Sequence, residues 1–335
     1  MSSLYFHFHG LSVQVSSENI ALLDHVRRDF SAFWVEQPVR PPRFHLQLKV
    51  QAPDYAGLPP LRASFVTPRN VCYQGQDLQI LDYFGRGVLL HRRCQGDIEV
   101  WAGELDLTRE IAYLFLLSQA GQHFDRRGLI RIHALGLEHQ GQAALLLLPS
   151  GGGKSTMALQ ALRGGPLKVI SEDSPLIDRA GRVHPFPLCP GIKGGPDPSF
   201  PLEAQRTAER MEFDPKTLID LEVFGDRWSR QPVPARWLLV GQRSLGEECC
   251  LEPLSRLSAA RALLTNMVVG VGLYQGLEFL LERSHLDLLQ RLGSLSGRLM
   301  PALALLRNCQ RKRFVLGRNR QLNQTTLIDF LRTTS

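Results

Sequence analysis

The stretch that most constrains this chain is Ala143-Ala-Leu-Leu-Leu-Leu-Pro-Ser-Gly-Gly-Gly-Lys-Ser-Thr156, an apolar run that ends in glycines, a lysine and two hydroxyls. It reads as a strand feeding a phosphate-binding loop. Glycines let backbone N–H groups close around phosphate oxygens, a lysine reaches the terminal phosphates, and the first hydroxyl ligates Mg²⁺. Met157-Ala-Leu-Gln-Ala-Leu-Arg163 comes next with helical apolar spacing, so the loop is expected on a helix N-terminus, whose dipole favours an anion. The residues expected to hold a nucleotide are Ser150, Gly151, Gly152, Gly153, Lys154, Ser155 and Thr156. One position departs from the usual pattern: Leu148 stands where a glycine is normal, six residues before the lysine. The alternative reading is an ordinary strand-to-helix turn with an incidental lysine.

At 335 residues and 44% apolar content, the chain is long enough for one large or two medium cores. Its first residues lack a basic region followed by an apolar core, and the apolar neighbourhood Ala259–Leu281 is broken by Arg261, Asn266, Gln275 and Glu278. The expectation is a protein of the cytoplasm that does not enter membranes. Six scattered cysteines with no CxxC spacing imply buried reduced thiols, with neither a zinc site nor a disulfide framework. Part of the net charge of +7 lies in Arg307–Arg313 and Arg318–Arg320. These runs fit a solvated basic face better than a nucleic-acid site, since they match no nucleic-acid fold signature.

The pattern divides at about residue 126. Residues 1–126 read as an N-terminal α+β module suited to substrate recognition, and residues 127–335 as a nucleotide-binding domain. In the first part, Leu4–Val15 alternates like a strand, and Asn19–Trp34 has helical spacing behind Ser17 as its cap. Phe44–Val50 is another strand, Leu78–Asp82, Gly87–His91 and Ile98–Trp101 suggest a small antiparallel sheet, and Asp106–Phe124 is a helix.

In the second part, the strands Leu129–Glu138 and Ala143–Leu148 flank a tight turn. Their paired positions should then sum to 281, which sets Glu138 opposite Ala143 and His133 opposite Leu148. Leu167–Ile170 should return beside the loop strand in parallel, bringing Glu172 and Asp173 to the edge that carries Lys154. Pro175–Pro187 reads as a hairpin turning at Asp178–Gly181, and Cys189–Pro196 as a loop able to close over a substrate. Phe200–Arg230 is polar and irregular, Pro234–Val240 and Arg313–Leu316 are strands, and Leu257–Leu264 and Ser284–Leu306 are helical. The sum is a mixed α/β sheet.

Phosphoryl transfer needs charge neutralisation on the migrating group and a base for the acceptor hydroxyl. Lys154 and the amides of Gly151–Gly153 would hold the phosphates, and Ser155 with an acid would hold Mg²⁺. Asp173 is favoured as base or metal ligand, with Glu172 second, because neighbours on a strand face opposite ways. Acids that merely cap a turn are the alternative. His133 could orient or share protons with the acceptor, and Lys193 could contact the transferred phosphate; each has a structural or surface role as its alternative.

Ile132-His-Ala, then Leu-Leu-Pro-Ser-Gly-Gly-Gly-Lys-Ser-Thr, then Val169-Ile-Ser-Glu-Asp and Gly181-Arg-Val-His-Pro-Phe-Pro together resemble the catalytic domain of the HPr serine kinase/phosphorylase family. The resemblance is nearer still to the HPr-kinase-related kinases of bacterial peptide-modification clusters, the SynChlorMet cassette kinase-like group among them. It covers residues 129–195. It implies a mixed-sheet P-loop kinase fold of the HPr kinase/phosphoenolpyruvate carboxykinase type and an ATP- and Mg²⁺-dependent kinase acting on a serine or threonine hydroxyl of a small protein or precursor peptide. It also suggests a homo-oligomer. By the resemblance, Lys154 and Ser155 fall on nucleotide and metal positions, His133 on the histidine before the loop, and Asp173 on an active-site aspartate. Glu172-Asp173 stands where the family often has two aspartates, and the N-terminal module does not resemble that of the bifunctional enzymes. A peptide acceptor is therefore expected in preference to HPr. Two other classes stay in view: a nucleotide-driven ATPase or switch, and a degenerate kinase that binds peptide without turnover, which Leu148 would favour.

Overall fold

His9 and Gly10 both take positive φ, 44° and 99°. The alternating stretch read as one strand is therefore a hairpin of β1 (Ser2–Phe8) and β2 (Leu11–Ser17), paired from Phe8↔Leu11 to Ser2↔Ser17. Two positive-φ residues give the turn a twist that matches the flanking strands. The computed structural model describes residues 1–149, 151–269 and 285–334. It divides into two units: the first holds Met1–His123 and Gly191–Asp220, and the second holds Phe124–Pro190 and most of the chain from Leu221 onward.

Asn19, and not Ser17, caps helix α1 (Ile20–Asp29), accepting from the Leu22 amide at 2.9 Å. Ser17 instead accepts from the Asn19 amide and donates to the Leu48 carbonyl, which ties the helix entry to a neighbouring strand. The helix expected to reach Trp34 ends at Asp29. A 3₁₀ turn over Ser31–Phe33 comes next, and then β3 (Trp34–Val35) adds to β1. The remaining strands are β4 (Phe44–Val50), β5 (Ala63–Val66), β6 (Val71–Gln74), β7 (Leu78–Asp82), β8 (Gly87–Arg92) and β9 (Asp97–Ala102). The sheet order is β3-β1-β2-β4-β9-β8-β7-β6-β5.

The expected small antiparallel sheet is thus larger and mixed, since β2–β4 and β4–β9 are parallel. Helix α1 lies between β2 and β4 and makes the first of these pairs parallel, because a crossover of that kind returns the chain in the same direction, while β5–β8 intervene between β4 and β9. Phe6, Phe8 and Phe30 pack together in its core, and Phe44, His91 and Phe115 of helix α2 (Leu105–Arg126) form a second aromatic cluster. Asp29, 1% exposed, receives Arg109 through two nitrogens at 2.7 and 2.6 Å.

The second unit begins with β10 (Ile130–Arg131), β11 (Leu135–His139), β12 (Gln142–Leu147), helix α3 (Lys154–Arg163), β13 (Lys168–Ser171), β14 (Leu176–Ile177) and β15 (Arg182–His184). All pairs in the β11–β12 hairpin sum to 281, from His139↔Gln142 to Leu135↔Leu146. The single strand expected over Leu129–Glu138 is broken at Ile132–Ala134, so the ladder stops before His133. Asp178 shapes the β14–β15 turn as expected, accepting from the amides of Ala180 and Arg182 and from His184 Nε2 at 3.0 Å.

Gly191–Asp220 carries β16 (Gly191–Ile192), β17 (Gln205–Ala208) and β18 (Lys216–Ile219), a three-stranded sheet whose β17 and β18 lie in the span expected to be irregular and whose β16 lies in Cys189–Pro196, expected to be a loop. Arg206 of β17 donates to Asp29 at 2.8 Å, and Asp220 accepts from Arg28 of α1.

The second unit resumes with β19 (Val233–Arg243), β20 (Cys250–Pro253), α4 (Arg256–Leu263), a π-helical turn (Leu264–Val269), α5 (His285–Asn308), β21 (Gln310–Leu316) and α6 (Arg320–Thr333). Its main sheet runs β10-β14-β15-β19-β12-β11-β13, with β21 on β19 and β20 on β21. The loop strand β12 therefore lies between β19, parallel, and β11, antiparallel. The expectation that β13 sits directly beside β12 is corrected: β13 pairs antiparallel with β11. The tight hairpin has already filled that edge of β12. Two antiparallel steps still leave β13 running in the same direction as β12, so the acids after it reach the same end of the sheet. Leu145, Leu147, Ile170, Leu238, Leu263 and Leu305 form one continuous core here.

Every cysteine is a free thiol, but only Cys72 and Cys309 are buried, which corrects the expectation for Cys94 and Cys250; burial pushes the Cys309 thiol up to about 12. Among the described residues no helix is long and apolar enough to cross a membrane.

Candidate functional site

The glycine loop continues directly from β12. Gly151 and Gly153 have φ of 74° and 108°, the left-handed region that glycine enters without strain, and the Gly152 amide donates to the Pro149 carbonyl at 2.9 Å. A Cβ on Gly152 would lie 2.8 Å from that carbonyl and 3.0 Å from Leu148 Cβ. The loop closes only with glycine at its centre. Ser155 and Thr156 occupy the first turn of α3, both half-buried. Ser150 lies outside the described residues.

Leu148 is fully buried and packs on the bare backbone of Gly241 in the parallel strand β19. A Cβ at Gly241 would lie within 2.6 Å of Leu148 Cγ and closer still to its Cδ2. The glycine missing from the loop's first position is thus matched by a glycine on the adjacent strand. Leucine fits because its neighbour gives up its side chain.

Lys154, 6% exposed, is the hub of the site. Its ammonium donates to the Leu148 carbonyl at 2.7 Å and to His133 Nε2 at 2.8 Å, and lies 3.5 Å from Asp173 Oδ1. An ammonium has no lone pair to offer, so His133 accepts at Nε2 and carries its hydrogen on Nδ1. That nitrogen is 3.3 Å from Asp173 Oδ1. The result is a closed triangle of three groups, carboxylate, imidazole and ammonium, beside the glycine loop.

The backbone explains why these residues meet. Where β10 breaks into β11, the Ile132 amide donates to the Pro175 carbonyl and the Ala134 amide to the Asp173 carbonyl. The bend at His133 and the bend at Asp173 are thus bonded to each other, and both side chains turn out at one point. The His133 amide donates to the Asn266 carbonyl at 2.9 Å, in the π-helical turn, so it is held from a second side. Such turns concentrate at functional positions.

Burial opposes the charged form of the Asp173 carboxyl, but the hydrogen bond and charge of His133 and the charge of Lys154 outweigh it and hold the group below the ordinary carboxylate range. It is ionised at neutral pH, and its side chain keeps 47% of its surface open. The donor set, a glycine cradle with a lysine and a helix N-terminus, fits a nucleotide's phosphates. For Mg²⁺ the candidate ligands are Ser155, Asp173 and Glu172. Among the described residues no three His, Cys, Asp or Glu side chains gather as a preformed metal cage, so phosphate oxygens would complete the shell.

Of the residues singled out by sequence, His133, Lys154 and Asp173 are brought together, and Glu172 comes after β13, next to Asp173. Lys193 is exposed just past β16, in the first unit. Sequence reasoning missed Arg243, whose Nη1 lies 3.5 Å from where a Cβ on Gly153 would stand. The signal was available in Gly241-Gln-Arg243 closing an apolar strand. No family model matches the chain, and no curated protein matches it.

Proposed function

We propose that this chain is an ATP- and Mg²⁺-dependent kinase of the HPr kinase/phosphoenolpyruvate carboxykinase type, acting in the cytoplasm on a serine or threonine of a small protein or precursor peptide. The observation that carries the reading is the convergence of Asp173, His133 and Lys154 on the glycine loop. A bound nucleotide would supply the phosphoryl group, and Mg²⁺ would offset its charge. Lys154 and the amides of Gly151–Gly153 neutralise the phosphates. Drawing Lys154 toward them takes one cation off Asp173 and raises its basicity as the acceptor arrives. Asp173 then accepts the hydroxyl proton, with His133 orienting it from Nδ1.

The test is transfer from labelled ATP to candidate peptides in the presence of Mg²⁺. Asp173→Asn should keep nucleotide affinity and lose about 10²-fold or more of the transfer rate, the usual contribution of a positioned base. Unchanged transfer would remove Asp173 from its role. Phosphate release without transfer would instead favour an ATPase or switch. The degenerate peptide-binding module rests on Leu148, yet that side chain is buried against Gly241.

A further inference from the structure

Side chains alternate along a strand, so Leu46, Leu48 and Val100 enter the buried core of the first unit while Lys49, Glu99 and Trp101 leave on the opposite face of the sheet. Strand pairing sets Lys49 beside Trp101, Leu90 beside Glu99, and Arg92 beside Leu78. Residues 51–62 arch over this face. Tyr55 donates to Asp82 Oδ1 at 2.8 Å, and Leu58 and Leu61 pack on Ile80, Val88 and Leu90. The arch and the sheet enclose a cavity of about 230 Å³, whose lining combines apolar Leu58, Leu78, Leu90 and Trp101 with the cations Lys49 and Arg92.

The charges here are held in place. Lys49 and Arg92 donate to the two oxygens of one carboxylate, Glu99, at 3.1 and 2.7 Å. Burial opposes charge on Glu99, but the hydrogen bonds from Arg92 and Lys49 outweigh it and keep the carboxyl below its ordinary range. Two cations thus share one anion, and the Lys49 ammonium also lies 5.3 Å from the Trp101 ring centroid. Asp54 lines the cavity as well, with its Oδ1 accepting from the Ala56 amide inside the arch. The bond from Arg92 to Glu99 comes from Nη1, and a guanidinium carries five N–H donors, so this side chain has donors to offer a second carboxylate.

The size of the cavity narrows what enters it. Pockets for cofactors and drug-sized ligands span about 300–1,000 Å³, so this one takes a single large side chain and not a whole nucleotide. A tryptophan and an arginine around an apolar floor are the residue types that anchor a protein partner.

We propose that this cavity is a peptide-docking site, which seats one aromatic side chain of an extended peptide against Trp101 while Arg92 and Lys49 take the carboxylate of an acidic residue two positions along. That spacing puts both side chains on one side of an extended chain. The site lies wholly within the first unit and is independent of the phosphoryl-transfer reading; neither needs the other.

The experiment is fluorescence anisotropy of the whole protein with a fluorescein-labelled octapeptide that carries phenylalanine and glutamate two residues apart in a glycine-serine background. Wild type should bind this probe. Changing its phenylalanine to alanine should weaken binding by about tenfold or more, the scale of burying an aromatic ring. Arg92→Gln should lose about tenfold on the glutamate probe, the scale of a hydrogen bond to a charged group, and almost nothing on the same probe with glutamine in place of glutamate. Glu99→Gln frees both cations and should tighten the glutamate probe, which a merely structural role for the three groups would not produce. The thermal midpoint of Arg92→Gln should stay near that of wild type, since its ion pair is half-exposed. No binding by wild type, or equal binding of the glutamate probe by wild type and Arg92→Gln, overturns the proposal. So does displacement of the probe by N-acetylphenylalaninate at the concentration at which unlabelled peptide displaces it, because the cavity would then be a site for a free aromatic acid. Transfer from labelled ATP is read separately and stands or falls apart from all these outcomes.

Discussion

The packing of Leu148 on Gly241 makes a quantitative prediction. Gly241→Ala would put a methyl within 2.6 Å of Leu148 Cγ and 3.2 Å from the Leu147 carbonyl. Apolar carbons prefer about 3.5–4.0 Å, so one side must yield by roughly 1 Å. Neither side has room: β19 is clamped between β12 and the seven-pair ladder of β21, and Leu148 backs onto Gly152. Overpacking of this kind costs about 1–3 kcal/mol. Leu148→Ala alone should cost about 2–5 kcal/mol through lost burial and the cavity left behind. In the double variant the new methyl occupies space that the leucine vacated, so the clash disappears and the total falls short of the sum by about 1–2 kcal/mol. Urea unfolding monitored by tryptophan fluorescence would measure this, since Trp237 is fully buried on the same strand and its Nε1 donates to Thr334. Should Gly241→Ala cost as much in the Leu148→Ala background as in wild type, Leu148 is not what excludes a side chain at 241. The pairing of leucine and glycine would then not explain the loop's missing glycine.

Two further predictions concern the first unit. Asp29→Asn leaves the buried Arg109 and Arg206 facing a neutral amide, and removing one partner of such a cluster costs about 3–5 kcal/mol; a urea-derived loss below about 1 kcal/mol would contradict a buried ionic role. His91, 5% exposed between Phe44 and Phe115, is pushed down from 6.5 to about 4, first by burial and then by Arg93. Its folded-state pKa is depressed, so the stability it permits is full above pH 6.5 and is lost as pH falls toward about 4. That amounts to about 3 kcal/mol at about 1.36 per unit. His91→Phe should flatten the stability profile between those limits, and an unchanged slope would show that this imidazole is not the group responsible.

The local elements were legible where one residue type settles the matter. The apolar run into three glycines fixed β12, the loop and α3, and the short polar turn after Glu138 set the β11–β12 register to the residue. The α6 helix was missed although Asn319 caps it and Leu327 and Leu331 share its buried face. Its apolar positions are sparse, and its place comes from packing. Ser17 looked like a cap because it precedes the periodic run, but its hydroxyl was claimed by Leu48 of a strand that only the folded sheet brings near.

Which strand lies beside which depends on contacts distant in sequence, and local pattern carries no record of them. The chain determines that a glycine loop, a lysine and a pair of acids exist, and that the acids come after a strand running the same way as the loop strand. Tertiary structure decides that β11 stands between those strands, that two bonded bends turn His133 and Asp173 onto Lys154, and that Gly241 makes room for Leu148. It also carries Arg243 to the loop, because parallel pairing of β19 with β12 joins segments almost a hundred residues apart through hydrogen bonds and burial that neither segment specifies alone.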